Sequence, residues 1–322
     1  MNQSKSMLRV CVIGGGNGSA KILRGLKMHS DELILSAVIA MSDSGSSNGE
    51  LRKKWGVMPP ADILRATLAM SPYDYDMLHK IFRTNRFQYN MENKHYLGNL
   101  FLALSEKHHG DFIMGLDALH VAIEALGKAY PVTIEQTNLC VELNNGEKIV
   151  GEDLIDRPSF DRTKKIQKAW LEPKVNIYKG AKEAIEQADF IILSLGSLYT
   201  SVIATLLVDG VSDAIQNNKK AKIIYICGGA CEADGETGPI ILSKTLEHLE
   251  NYIPRPIYEI IYNNHELTDE EVVLYSEKKW NKMELDIDNI VGKILTGVDM
   301  EKSGGGISPE KLGEAIYLSI NK

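Results

Sequence analysis

The stretch that most constrains this chain is Val10-Cys11-Val12-Ile13-Gly14-Gly15-Gly16-Asn17-Gly18-Ser19. Four apolar residues run into a cluster of glycines, and from Ala20 an apolar helical spacing sets in at Ile22, Leu23 and Leu26. Such a run reads as a buried parallel strand that turns sharply into a helix. Glycine permits close backbone approach, and a helix start offers unpaired N–H groups and a positive dipole end to an anion. Gly14, Gly15, Gly16, Asn17, Gly18 and Ser19 thus make a turn with phosphate-binding chemistry. The dinucleotide fingerprint is incomplete, because Ser19 falls where its third glycine belongs. No lysine-serine pair follows, which argues against a P-loop. A tight turn with no ligand is the plainer alternative.

The same pattern recurs. Leu33–Met41 reads as a second buried strand and ends in Ser42-Asp43-Ser44-Gly45-Ser46-Ser47-Asn48-Gly49-Glu50-Leu51-Arg52. Phe190–Leu195 reads as another and breaks at Gly196-Ser197-Leu198-Tyr199-Thr200-Ser201 before a helical spacing. Small hydroxyl residues and glycines at the carboxyl ends of strands are where open α/β sheets bind ligands. Asp43 stands roughly where an acidic residue would meet a ribose; coordinating a cation or capping the turn are alternatives. Arg52 is either a phosphate partner or a surface arginine. Asp62 follows Pro59-Pro60-Ala61 near a helix start, where the dipole alone explains a carboxylate. His95 and Asn99, four apart, share one face of the helix expected from His95 to Leu104, as a cap or as site residues. Asp234 and Glu236 follow the strand Lys222–Cys227, as turn residues or as partners of a sugar hydroxyl or cation, and Thr237 beside them is a further ligand-binding candidate. No motif ties a histidine to Ser197, so anion binding is favoured over covalent catalysis there, and no catalytic residue is assigned.

Between these segments the texture changes. Val132–Glu135, Leu139–Leu143 and Lys148–Glu152 alternate as strands do, with Asn144-Asn145-Gly146 as a hairpin turn. The expected architecture is one α/β domain over residues 1–322, a doubly wound, mostly parallel sheet, carrying an antiparallel β-rich insertion at 130–178. A length of 322 residues, 44% hydrophobic and 25% charged, suits a large globular core. A net charge of −7 without basic blocks argues against a nucleic-acid partner. No apolar stretch approaches the ~20 residues of a membrane span, and the four cysteines lack metal or redox spacing. The chain reads as cytoplasmic.

Taken in order, the glycine turn, the Ser42–Arg52 run, Pro59–Asp62, His95-Tyr96-Leu97-Gly98-Asn99-Leu100, Gly151-Glu152, Gly196–Ser201 and Gly235-Glu236-Thr237 resemble the gluconeogenesis-factor family. Relatives of that family include the 2-phospho-L-lactate transferases of deazaflavin-cofactor biosynthesis. The resemblance covers nearly the whole chain and implies a Rossmann-like fold and a homodimer. It also implies a nucleotide diphosphate or UDP-sugar ligand among the three turns, and a regulatory role in carbon metabolism and cell-wall or cell-shape control. The transferase branch implies instead a Mg²⁺-dependent enzyme with a nucleotide diphosphate-linked donor, Asp43 then being the metal holder. An NAD-linked oxidoreductase rests on the first turn alone. The chain departs from the family pattern at ligand loops, with Leu195 in place of a proline and Ile307-Ser308 in place of a histidine-aspartate pair.

Overall fold

The computed structural model describes residues 6–84, 86–87 and 95–322. Seven strands form the central sheet: β1 (Leu8–Gly14), β2 (Leu33–Ile39), β3 (Gly127–Pro131), β4 (Phe190–Leu193), β5 (Lys222–Cys227), β6 (Glu259–Asn263) and β7 (Ile294–Val298). Their spatial order is 3-2-1-4-5-6-7 and every pairing is parallel. The chain therefore reverses its direction of winding between β1 and β4, and that switch point is where a doubly wound sheet opens a crevice. β1 lies inside the sheet, between β2 and β4, with Val10, Cys11, Val12 and Ile13 fully buried, as its unbroken apolar run requires.

Helix α1 (Gly16–Leu26) begins four residues before the expected start at Ala20, so the glycines form its first turn rather than a loop before it. It packs on the last helix, Pro309–Ile320, through a glycine pair: a Cβ on Gly313 would stand 2.4 Å from Gly25 Cα. Ser308 caps that last helix and Pro309 opens it. Helix α2 (Ser46–Trp55) follows the second turn, and α3 (Ala61–Ala69) starts directly after Pro60, with Asp62 in its first turn.

Two edge strands escaped the sequence reading. β3 is short, carries a lysine and ends in proline, which is tolerated at a sheet edge, and half of β7 is neither strongly apolar nor alternating. The insertion is antiparallel as expected, but narrower than 130–178. It consists of Asn138–Leu143 paired with Lys148–Val150 and Ile166–Glu172, around the Asn144–Gly146 turn. Residues 130 and 131 belong to the main sheet, Val132–Glu135 forms no strand, and of Val175–Tyr178 only Asn176 makes a bridge, to Asp209. His95 and Tyr96 pair with Arg86 and Phe87, so helix α5 (Leu97–His109) starts two residues later than read; between α3 and α5 lies α4 (Tyr75–Arg83).

Candidate functional site

The first and third turns meet at the switch point. A Cβ on Gly18 would lie 2.5 Å from the Gly196 backbone nitrogen, and one on Gly16 would lie 2.4 Å from Asp62 Oδ1. Glycine is needed here for turn-to-turn packing as well as for ligand approach. Gly16, Asn17 and Gly18 face the open cleft. Gly14, Gly15 and Ser19 lie beneath its floor, with Ser194 and Ser201 against the first two glycines. Gly15, the N-cap residue of α1, has no side chain to close the helix start, and the Asp62 carboxylate stands beside Gly15 and Gly16.

The third turn is different. Leu198–Ile203 is a π-helical turn, and the Glu236 carboxylate sits across its start, accepting the N–H groups of Leu198 (2.6 Å), Tyr199 (3.0 Å) and Thr200 (3.1 Å). The amides that the sequence offered to a ligand phosphate are thus already given to an anion of the protein itself. Burial pushes the Glu236 carboxyl up to about 7, against the pull of those three amides. Tyr199 is fully buried, its hydroxyl hydrogen-bonded to His248 Nδ1 at 2.5 Å, and Thr237 is buried too; neither lines the cleft. Gly196, Ser197, Thr200 and Ser201 do line it.

In the second turn, Asp43 accepts the Gly45 N–H at 2.9 Å and a bond from the Asn48 amide. Ser47 Oγ lies 2.7 Å from His95 Nδ1 and accepts from Asn99 Nδ2 at 3.3 Å. His95 and Asn99 therefore do converge, as buried supports of the loop and not as helix caps; Asn99 reaches the cleft and His95 does not. Ser44 turns the other way, accepting the Asp153 N–H and tying the loop to the insertion.

Arg52 is neither of the things the sequence suggested. Its guanidinium donates to the carbonyls of Ser42, Asp43 and Thr137 and to the side chains of Gln136 and Asn138, outside the cleft. It clasps the Asp43 loop to the entry of the insertion. Arg52→Ala is expected to cost about 2–3 kcal/mol in urea unfolding. Arg52→Lys should recover little of it, because an ammonium lacks the planar fork that reaches five acceptors.

Sequence reasoning assigned no site residue to the insertion, where Gly151-Glu152 entered only through the family resemblance. A short helix, Glu152–Asp156, leads out of its hairpin and places three carboxylates on the cleft wall, those of Glu152, Asp153 and Asp156. Glu152 Oε2 accepts the Ser44 N–H, and Asp156 Oδ1 accepts the Thr200 hydroxyl at 3.3 Å. Burial, then repulsion from Asp43, Asp156 and Asp62, raises the Glu152 carboxyl well above its usual range. Asp43 is raised by burial and by Asp62, and Asp156 chiefly by burial. Asp62 itself is paired with Arg65 at 2.9 Å. No periodicity marks Glu152 and Asp156 in the sequence; only their position after the Gly151 turn does. Among the described residues no three His, Cys, Asp or Glu side chains gather closely enough to hold a metal ion.

These elements enclose two adjoining chambers over the carboxyl ends of the strands. One, of about 380 Å³, holds the carboxylates and, facing them, Arg65, Arg83, Arg86 and Arg157. The other, of about 460 Å³, is lined by Lys21, Arg24, Tyr75, Tyr225, Glu236, Thr245, Trp280 and Met283, among others. Asn17, Gly18, Gly196 and Ser197 border both.

A structure of this shape has known counterparts. Crystal structures of a Bacillus halodurans protein, one of them described as a member of the UPF0052 family, superpose with TM-scores of 0.85 and 0.86, at 28% identity and over 97% of this chain. In sequence, the chain is 34% identical over 288 residues to a candidate gluconeogenesis factor of Thermotoga maritima, covering 89% of each. It is 32% identical to the gluconeogenesis factor of Halalkalibacterium halodurans, covering 84% of this chain and 82% of that one. The family model described as 2-phospho-L-lactate transferase CofD matches residues 10–299. The chain belongs to the CofD family, among the gluconeogenesis factors.

Proposed function

We propose that the protein is a nucleotide-sugar-binding regulator of the gluconeogenesis-factor type, acting in carbon metabolism and cell-wall control, with a UDP-sugar as ligand. One observation carries the placement of that ligand. Of the two glycine turns that meet at the switch point, the third turn already holds the Glu236 carboxylate, whereas the N-cap of α1 is a glycine, with no side chain to take its amides. The diphosphate then belongs on the α1 amides of Gly16–Gly18, with the nucleoside in the chamber of Tyr225 and Trp280. The sugar belongs in the polar chamber, where Asp43, Asn99 and Thr200 supply hydroxyl partners.

The convergence of Asp43, Asp62, Glu152 and Asp156 favours one second reading, a transferase of the kind the family model describes. Mg²⁺ is commonly held by one or two carboxylates together with substrate phosphates. Asp43 fits that role only alongside the nucleotide, since no three-ligand group stands ready among the described residues. When bound, the ion would neutralise charge on the leaving phosphate.

Calorimetric titration with UDP-N-acetylglucosamine, UDP-glucose, GDP and NAD, each with and without Mg²⁺, separates the readings. The regulator predicts saturable UDP-sugar binding with the nucleotide recovered intact by chromatography. Asp43→Ala should weaken it by about 10-fold or more, the worth of a hydrogen bond to a charged group. Strict Mg²⁺ dependence with release of nucleoside monophosphate would transfer the assignment to the enzyme.

A further inference from the structure

The polar chamber has a wall that neither the diphosphate nor the sugar hydroxyls use. Arg83 closes α4 with its side chain folded inward; the residue is 7% exposed, yet it lines the chamber. One of its terminal nitrogens donates to the Ala61 carbonyl at 2.8 Å, while its Nε is buried and has no hydrogen-bond partner among the described residues. The guanidinium lies over the Tyr96 ring at 5.3 Å, and Arg86 lies over the same ring at 4.4 Å while donating to the Tyr96 hydroxyl. Arg65 stands on the adjoining helix α3, paired with Asp62.

Three guanidinium groups thus share this wall with one hydrogen-bonded carboxylate. Burial and repulsion from Arg65 pull the Arg83 pKa down to about 10, so the cluster is held against its own charge. A purely structural arginine would have its donors consumed, as Arg52 does. An arginine fork with an open buried donor is suited to a carboxylate or phosphate, which accepts from two N–H groups at once.

We propose that Arg83, Arg86 and Arg65 form an oxyanion subsite, which takes a carboxylate or phosphate group other than the nucleotide diphosphate. The proposal rests on the UDP-sugar reading for its first test and is independent of it in the second. A neutral hexose offers the Arg83 and Arg86 forks no oxyanion to accept from two N–H groups at once, whereas an acidic sugar or a second, phosphorylated molecule does.

The first test compares UDP-glucuronate with UDP-glucose, which differ only by a carboxylate in place of a hydroxymethyl group. Calorimetry should give at least a 10-fold preference for the uronate. In Arg86→Gln, with the fold checked by circular dichroism, the preference for the uronate should shrink several-fold. The second test uses inorganic phosphate alone, with phenylglyoxal modification of Arg86 followed by peptide mass spectrometry. Millimolar phosphate should slow the modification several-fold in the wild type and not in Arg83→Gln, provided circular dichroism shows that variant folded. Uronate preference places the oxyanion on the sugar. Phosphate protection without that preference places it on a separate molecule. If neither UDP-sugar binds while phosphate still protects Arg86, the UDP-sugar reading fails and the subsite stands. No preference and no protection would overturn the subsite.

Discussion

Gly18→Ala is expected to lower the melting temperature by about 3 °C and to abolish UDP-sugar binding at concentrations that saturate the wild type. The added Cβ would sit 2.5 Å from the Gly196 nitrogen and 3.0 Å from both Gly196 Cα and the Leu195 carbonyl carbon, all of them backbone atoms. No side chain can rotate away, so α1 and the third turn must separate. Overpacking of this kind costs about 1–3 kcal/mol, more than the helix propensity that alanine regains over glycine, and about 2 kcal/mol corresponds to the stated shift. Asn17→Ala is the control: its side chain is exposed at the same turn, so its melting temperature should match the wild type. A Gly18→Ala protein as stable as the wild type would mean that the two turns are not in contact, and the cleft would have to be redrawn.

Glu236→Ala should be nearly as disruptive, for a different reason. It strips a carboxylate from the Leu198, Tyr199 and Thr200 amides, at an expected cost of about 2–3 kcal/mol. The vacated amides become an anion site, so acetate at tens of millimolar should restore part of the stability of the variant and leave the wild type unchanged. The pH dependence has a definite sign. The Glu236 carboxyl titrates near 7 in the folded protein, against 4.5 for a free glutamate side chain. Between those values the folded state retains a proton that the unfolded chain releases, so the stability supplied by this group falls as pH rises to about 7 and is level above it. The gap in melting temperature between wild type and Glu236→Ala should therefore be wider at pH 5 than at pH 8. A gap that widens towards pH 8 would show that hydrogen bonding to the ionised form outweighs burial.

The contrast between Arg52 and Arg83 shows where sequence reasoning reached its limit. Both are arginines in polar segments, and only Arg52 stood in a recognisable run. Folded, Arg52 donates to five acceptors outside the cleft, while Arg83 is buried on the cleft wall with an open donor. Local spacing carries no information on which distant carbonyls a long side chain will meet. Glu236 makes the same point. It was legible as a residue of the ligand region, but its carboxylate is spent on a helix start 36–38 residues away in sequence.

The sequence by itself determined the doubly wound sheet, because buried parallel strands are unbroken apolar runs and the turns that follow them must be small. It also determined the family, through motifs spread over nearly the whole chain, and the loops around which the cleft forms. Only the tertiary structure decided which of those loops have donors to spare. The insertion brings Glu152 and Asp156 to the Asp43 loop, and the α4 segment brings Arg83 to the same chamber. Hydrogen bonding is settled by three-dimensional competition among groups far apart in the chain. For that reason the strands and turns could be read in order, and with them Asp43 and Asp62, while Asp156, Arg83 and Arg86 on the cleft wall could not.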